Sequence, residues 1–473
     1  MIYGLASAFG RFFGLILTPI YTRIFTPDDY GAIDLITVST YFISIFCATE
    51  IWAGVSRHYI ESSKDVKEKS TLVSTGLFYL LLVSAVFLTL VYIFTADILT
   101  ILTLDKKYWI SFYIAVATIP FSIVFTYFNI LLRFEKRPWL FFIAITAQLI
   151  SNATVSIVLI MVFRIGTNGF FIGQLAGFAV ALLVFFSVLR NHIKALFSFR
   201  LLGRLLQFSL PIVPAVIAVW LNAYANRFVM LKYLSLHDIG VYAVGLKMAS
   251  IFLFLEYALR LAWTPFLYEL ITEPDYINNI NKFFKVLVKV LLVVFIAVSL
   301  FTREIIDVLA PVEYQKAHTI AAVLCIPALL LILNLVLSAG PLIAKKTYYE
   351  SFSQISGMAI NLLTLILTVP LWGIEGAAIS YLIGSLITSF LYYYYSNKLI
   401  KLTVPRTMTM LTLVMLITAA YVASSWDFTL LYKIVFLFVV IVPVSCILLY
   451  KDSDLRTIYS KIISKYLIKQ PQA

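Results

Sequence analysis

Fourteen apolar runs, each long enough to cross a bilayer as a helix, divide this 473-residue chain almost without remainder. Their limits read as 3–22, 32–56, 71–95, 109–131, 140–163, 169–189, 207–230, 239–263, 284–301, 318–340, 352–370, 374–396, 406–424 and 429–449. Short polar segments separate them, and the longest on the odd-numbered side has about fifteen residues. The pattern predicts an all-α integral membrane protein with no segment left over for a soluble domain.

The runs repeat. Thr26-Pro27-Asp28-Asp29-Tyr30-Gly31 aligns with Ser235-Leu236-His237-Asp238-Ile239-Gly240 at an offset of 209, and Asn152 falls on Asn361 at the same offset. Gly166-Thr167-Asn168-Gly169 matches Gly373-Ile374-Glu375-Gly376, and Gly177 matches Gly384, at 207. Each half then holds six helices, an even number, so the halves share one orientation. The expected architecture is two parallel six-helix lobes, related by a pseudo-two-fold along the membrane normal, plus two C-terminal helices. The lobes are 1–197 and 198–400, and 401–473 holds the last two helices and a cytoplasmic tail. Two facing lobes suit alternating access, with a substrate site between them near the midplane. In the repeated motif, Thr26 or Ser235 is placed to cap a helix, with Asp29 or Asp238 three residues on as in a capping box. Pro27 suits the first helical position.

Composition agrees: 62% of residues are hydrophobic and 12% are charged, against about 25% charged in soluble domains. The net charge of +13 would suggest nucleic acid in a soluble chain. Here the basic residues lie between apolar runs, which points to orientation and lipid contact and excludes a nucleic-acid partner. Loops after even-numbered helices, with the C-terminal tail, carry 24 lysines and arginines, and the opposite loops carry 8. Both termini are therefore expected in the cytoplasm. Met1 almost enters the membrane with no basic residue before it, so a few preceding residues are expected to be missing. Cys47, Cys325 and Cys446 all sit in apolar runs, too scattered for a metal site or a disulfide.

Ionisable residues inside spans each need a reason. Arg11 lies twelve residues before Arg23, about 18 Å along a helix and near mid-membrane. No acid in its own helix can neutralise it, so it is read as a substrate contact. Asp34 lies one turn inside the outer end of helix 2, with Glu50 about 24 Å further along. Lys247 lies two turns into helix 8, followed by Glu256 and Arg260 at i,i+4 spacing, and Arg227 lies near the outer end of helix 7. Lys247, Arg227 and Arg260 are candidate cations for an anionic ligand. For Arg227 the competing reading is an interfacial anchor, and for Arg260 an ion pair with Glu256. Asp34 reads equally as their counter-ion or as a proton or cation site, and Glu50 and Glu256 join it as candidates for H+ or Na+ coupling. Lys433 opens the last helix and is expected to snorkel. Guanidinium suits pyrophosphate through paired hydrogen bonds. Tyr21, Tyr41, Trp52, Tyr224, Tyr242, Tyr257 and Trp263 lie in the same four helices and offer faces that can stack on sugar rings, packing being the alternative. The segment 277–290 brings Lys282, Lys285 and Lys289 near one face, either as a helix along the inner leaflet or as the start of the next span.

The run YGLASAFGRFFGLILTPIYTRIFTPDDYGAIDL resembles the start of bacterial polysaccharide-repeat flippases. These are the O-antigen and capsule transporters of the multidrug/oligosaccharidyl-lipid/polysaccharide exporter superfamily. The twelve-plus-two layout and the Gly-x-x-Gly before helices 6 and 12 extend the resemblance to the whole chain. It implies a substrate, an oligosaccharide on undecaprenyl pyrophosphate, moved from the cytoplasmic to the periplasmic leaflet of the inner membrane. It further implies membrane lipids as partners, with the polysaccharide polymerase and chain-length machinery as candidates, a monomeric state, and no cofactor. In related peptidoglycan-lipid flippases helix 1 carries a cavity arginine, which Arg11 matches by place. Asp34 matches an acid early in helix 2, and in helix 8 both Lys247 and Arg260 qualify for an expected basic residue. A lateral portal between helices 1 and 8 would leave the polyprenyl tail in lipid, with helices 13 and 14 lining a groove for it.

Two other readings compete. A cation-coupled multidrug antiporter of the same superfamily would place acids in its cavity, where this chain has Arg11. A membrane polysaccharide polymerase or glycosyltransferase would carry a long periplasmic catalytic loop, and no loop here is long enough.

Overall fold

The computed structural model describes residues 2–61, 66–189, 196–346, 348–402, 429–436 and 438, and no strand occurs among the described residues. The chain forms two compact units, Met1–Ala243 and Val244–Ala473. The repeat in sequence and compactness in space thus divide it at different points. Helix seven of the sequence count packs on the second helix of the first unit, and the division falls inside the helix that follows.

The first unit contains α1 (Ile2–Ile24), α2 (Pro27–Ala48), α3 (Ile51–Glu61), α4 (Val66–Ile93), α5 (Thr95–Ile101), α6 (Trp109–Phe134), α7 (Pro138–Met161), α8 (Thr167–Leu189), α9 (Phe199–Ser209), α10 (Val213–Tyr233) and the first turns of α11 (Leu236–Leu270). α7 and α8 pack along their lengths, α6 lies on α8, α1 on α7, and α2 on both α6 and α10. Phe112, Phe171 and Phe185 are fully buried among them.

The second unit holds the rest of α11, then α12 (Tyr276–Leu300), α13 (Thr302–Leu309), α14 (Ala317–Leu337), α15 (Ala339–Ile343), α16 (Tyr348–Ile400) and α17 (Leu430–Phe436). α14 has almost every residue buried, from Ala317 to Leu337. A helix apolar on all sides belongs at a centre, and α12, α13 and α16 surround it. Lys433 on α17 does not simply snorkel. Its buried ammonium bonds both oxygens of Glu304 on α13, at 2.8 and 2.9 Å.

Ten helices among the described residues are long and apolar enough to span a bilayer. One of them, α16, runs 53 residues and breaks at Gly373 (φ 56°, ψ −130°), so it supplies two crossings. With the shorter apolar stretch Phe13–Ile24 of α1, twelve crossings are accounted for. The span read at 406–424, most of that at 429–449, and Cys446 lie outside the described residues.

Several repeat anchors acquire a structural reason. Gly166 and Gly373 both hold positive φ, at 59° and 56°, where a side chain is disfavoured. A Cβ on Gly177 would come within 2.8 Å of the Asn152 Cβ, and one on Gly384 within 2.5 Å of the Asn361 Cβ, so each half seats one close helix pair in the same way. A further repeat emerges: α5 and α13 each begin on threonine and lead into a 3-10 turn whose tyrosine, Tyr108 or Tyr314, is fully buried.

The second span differs from its expected 32–56. α2 stops at Ala48, Thr49 and Glu50 take left-handed backbone (φ 46° and 53°), and α3 starts afresh at Ile51. The lysine-bearing segment 277–290 is the beginning of continuous α12, not a separate surface helix.

Candidate functional site

Helix α2 begins with the repeated motif. Thr26 Oγ1 accepts from the Asp29 amide at 3.2 Å and donates to Asp29 Oδ2 at 2.9 Å. At the second copy, Ser235 Oγ accepts from the Asp238 amide at 3.3 Å, and Asp238 Oδ2 accepts from the Ser235 amide at 3.2 Å. The second copy is a full capping box, and the first is a side-chain cap whose aspartate accepts from the threonine hydroxyl instead of the backbone amide. The sixth residue of each copy does something else. A Cβ on Gly31 would lie 2.0 Å from the Leu236 carbonyl oxygen, and one on Gly240 2.0 Å from that of Pro27. The two helix starts therefore meet backbone to backbone, each glycine providing room for the other copy.

Below that contact, α2 presents a polar face. From Gly31 to Tyr41 its only accessible positions are Asp34, Thr37, Thr40 and Tyr41. Their spacing of three, six and seven residues keeps them on one side of a helix. Thr37 and Thr40 donate to the Ile33 and Ile36 carbonyls at 2.7 and 2.9 Å, so neither hydroxyl needs a distant partner. A lipid-facing surface would reverse this pattern.

Asp34 meets Arg227 across 193 residues of sequence. Arg227 Nε donates to Asp34 Oδ2 at 3.0 Å, and its Nη1 donates to the Ala223 carbonyl at 3.2 Å and to Asn226 Oδ1 at 2.9 Å. Asn226 Nδ2 then donates to the Tyr242 hydroxyl at 2.6 Å. The guanidinium also lies 5.7 Å from the Tyr224 ring centroid and 5.3 Å from that of Tyr242. Asp34 is seven residues from the start of α2 and Arg227 six from the end of α10, so both are about 10 Å from those helix ends. A buried cation is tolerable only with such partners. Beneath the pair, α2 and α10 join through Phe42, Trp220, Tyr224 and Phe228.

Glu50 sits at the break below α2, where Trp52 Nε1 donates to its Oε2 at 2.6 Å. Beside it, Thr49 donates to the Tyr79 hydroxyl at 3.1 Å.

The remaining candidates are separate. In the second unit, Glu256 Oε1 accepts from Arg260 Nε at 2.6 Å and lies 2.5 Å from its Nη2. Arg260 lies 24 residues into α11, about 36 Å from its start and so at the far end of a span. Lys247, eleven residues in, is about 17 Å along. It is half-buried, and no ion pair among the described residues includes it. Arg11 belongs to α1, and its side chain lies outside the described residues.

The sequence profile of a family of polysaccharide biosynthesis proteins matches residues 20–319. The chain belongs to this family. Among curated proteins none matches. The fold of this polysaccharide biosynthesis protein is similar to that of the lipid II flippase MurJ in an inward closed conformation. The two share 17% identity, with 99% of each chain covered and a TM-score of 0.71. It is also similar to an inward-facing multidrug resistance MATE family transporter of the MOP superfamily, at 13% identity over 82% of this chain and 94% of that one, TM-score 0.68. A point mutant of the Vibrio cholerae MATE transporter VcmN is more distant in shape, with 14% identity, coverage of 85% and 94%, and a TM-score of 0.57. At these identities the likeness is one of fold, and with the ten apolar helices it makes this family member a multi-pass membrane protein.

Three features had no decisive sequence signal: the break at Thr49–Glu50, which lacks glycine and proline; the Gly31–Gly240 contact, visible only as two glycines ending a repeated motif; and the pairing of Asp34 with Arg227 over its alternatives.

Proposed function

We propose that this protein is a flippase that carries undecaprenyl-pyrophosphate-linked oligosaccharide repeat units from the cytoplasmic to the periplasmic leaflet of the bacterial inner membrane, by alternating access, for O-antigen, capsule or exopolysaccharide synthesis. The carrying observation is the match to a polysaccharide biosynthesis family on a transporter fold. The physical problem fits that fold. A sugar head group presents many hydroxyls, each expensive in hydrocarbon, whereas the polyprenyl tail is at home there. A polar-faced helix such as α2 supplies what the head group needs.

Within this reading Arg11 and Lys247 are the candidate cations for the pyrophosphate. Arg227 is held by Asp34, so its role is to keep α2 and α10 together at that level. Arg260 is neutralised by Glu256. Proton or sodium coupling falls to Glu50, the candidate acid without an ion pair among the described residues. The protein acts as a monomer with cytoplasmic termini and makes no covalent change to its substrate.

The test is flipping of a lipid-pyrophosphate oligosaccharide in proteoliposomes by wild type and Arg11→Ala. Wild type is expected to transport and the inserted variant to lose at least about tenfold in rate, as a removed charge-assisted phosphate contact requires. Covalent alteration of the lipid by wild type would instead mean an enzyme. Full activity of Arg11→Ala would overturn the cationic site.

A further inference from the structure

Tyr41 is 47% exposed, although it lies 14 residues, or about 21 Å, below the start of α2. Other tyrosines of the first unit behave differently. Tyr30, Tyr59, Tyr108 and Tyr127 are all buried to 8% or less. Tyr92, 71% exposed, stands one residue from the end of α4, the level of an interfacial belt. Tyr41 is neither core nor belt.

Its surroundings are ordered and polar. The Tyr224 ring meets it edge-on, with centroids 5.8 Å apart and planes at 87°. Tyr224 is itself held between Trp220, at 6.1 Å, and the Arg227 guanidinium, at 5.7 Å. The Tyr41 hydroxyl makes no hydrogen bond among the described residues, and Thr37, one turn before it on α2, shares its accessible face. An open aromatic face on a stripe of hydroxyls suits one ligand class. A pyranose ring lays its C–H face on an aromatic ring while its edge hydroxyls bond to neighbouring side-chain hydroxyls. A lipid chain would leave the hydroxyls unused, and a bare pyrophosphate has no ring to stack.

We propose that Tyr41, braced by Tyr224 and sharing its accessible face with Thr37, is a sugar-stacking subsite that holds one pyranose ring of the substrate on the C-terminal half of α2. The inference rests on the flippase reading and adds to it a place for the sugar apart from the pyrophosphate. Its rigidity is part of the design, because a platform already fixed by Trp220 and Arg227 loses little entropy on binding.

The test compares binding of two probes in lipid nanodiscs: undecaprenyl pyrophosphate alone, and the same lipid bearing a galactose-containing trisaccharide. Wild type should prefer the sugar-bearing probe. Tyr41→Leu should weaken that probe about tenfold and leave the bare lipid unchanged, while Tyr41→Phe should keep the preference within about twofold. If Tyr41→Leu does not insert, Tyr41→Met removes the ring with a flexible side chain. An unchanged preference in the ring-less variant, equal loss for both probes, or no preference in wild type would each overturn the subsite. Wild type that binds neither probe would count against the flippase reading itself.

Discussion

Helices α2 and α4 neighbour one another in the first unit, yet they are built inside out. From Gly31 to Tyr41 the accessible positions of α2 are Asp34, Thr37, Thr40 and Tyr41, while Ile33, Leu35, Ile36 and Val38 are buried. α4 buries Ser74, Thr75 and Ser84 and exposes Phe78, Leu81, Leu82, Val86 and Leu90. Both helices are apolar enough to span a bilayer. The difference is what their free faces touch. An exposed leucine costs nothing in hydrocarbon, and a buried serine there bonds its own or a neighbouring backbone. A part-exposed aspartate and two threonines on one stripe suit a polar surrounding better than hydrocarbon. α4 therefore turns an apolar face outward, as lipid requires, and α2 a polar one.

The sharpest way to break this contrast is chemical. In a background with Cys47, Cys325 and Cys446 replaced by serine, Thr40→Cys should react with a membrane-impermeant maleimide and Leu82→Cys should not. Reaction needs the thiolate, which does not form in hydrocarbon. Labelling of both positions, or of Leu82→Cys alone, would mean that the faces are assigned the wrong way round.

The next effect concerns how α2 holds its charge. Asp34→Ala leaves the Arg227 guanidinium, 3% exposed, without its carboxylate. Removing one partner of a buried pair costs about 3–5 kcal/mol, a loss readable as a large fall in thermal midpoint in nanodiscs. The double variant Asp34→Leu, Arg227→Met should recover most of it, because the uncompensated charge is gone. An unchanged midpoint for Asp34→Ala would show that Arg227 is solvated by something other than Asp34. No comparable pair was available to choose on α4, whose described central turns carry no charge from Ser70 to Ile93.

How much of this was legible in the chain follows from range. The helix caps at Thr26 and Ser235 were readable because Asp29 and Asp238 lie three residues away, and the spans because apolarity accumulates over twenty residues. The i,i+4 pair Glu256–Arg260 was readable for the same reason. Asp34 and Arg227 were both visible as intramembrane charges, but nothing local links residues so far apart, and Asp34 kept two readings until the fold joined them. Lys433 looked like a snorkelling residue because Glu304 is 129 residues away. The break after Ala48 was invisible because Thr49 and Glu50 adopt left-handed backbone without the glycine that usually marks it. The inside-out character of α2 and α4 was hidden for another reason: composition says that a helix spans, not which of its faces the protein covers.

A smaller effect tests that last point most directly. Thr40 and Leu82 both lie near the middle of their helices, thirteen residues into α2 and sixteen into α4. A lysine at the centre of a lipid-exposed helix costs about 2.5–3.5 kcal/mol on insertion scales. Leu82→Lys should incur that cost and lower the thermal midpoint in nanodiscs, whereas Thr40→Lys should incur little of it because its ammonium joins the polar face. Inserted one helix at a time, without the rest of the protein, the two substitutions should cost nearly the same, since an isolated α2 has only lipid around it. The difference between the isolated and folded measurements, for Thr40→Lys alone, is then the contribution of the polar surroundings in the folded protein. Equal destabilisation by both lysines in the folded protein would make the polar stripe of α2 a packed seam.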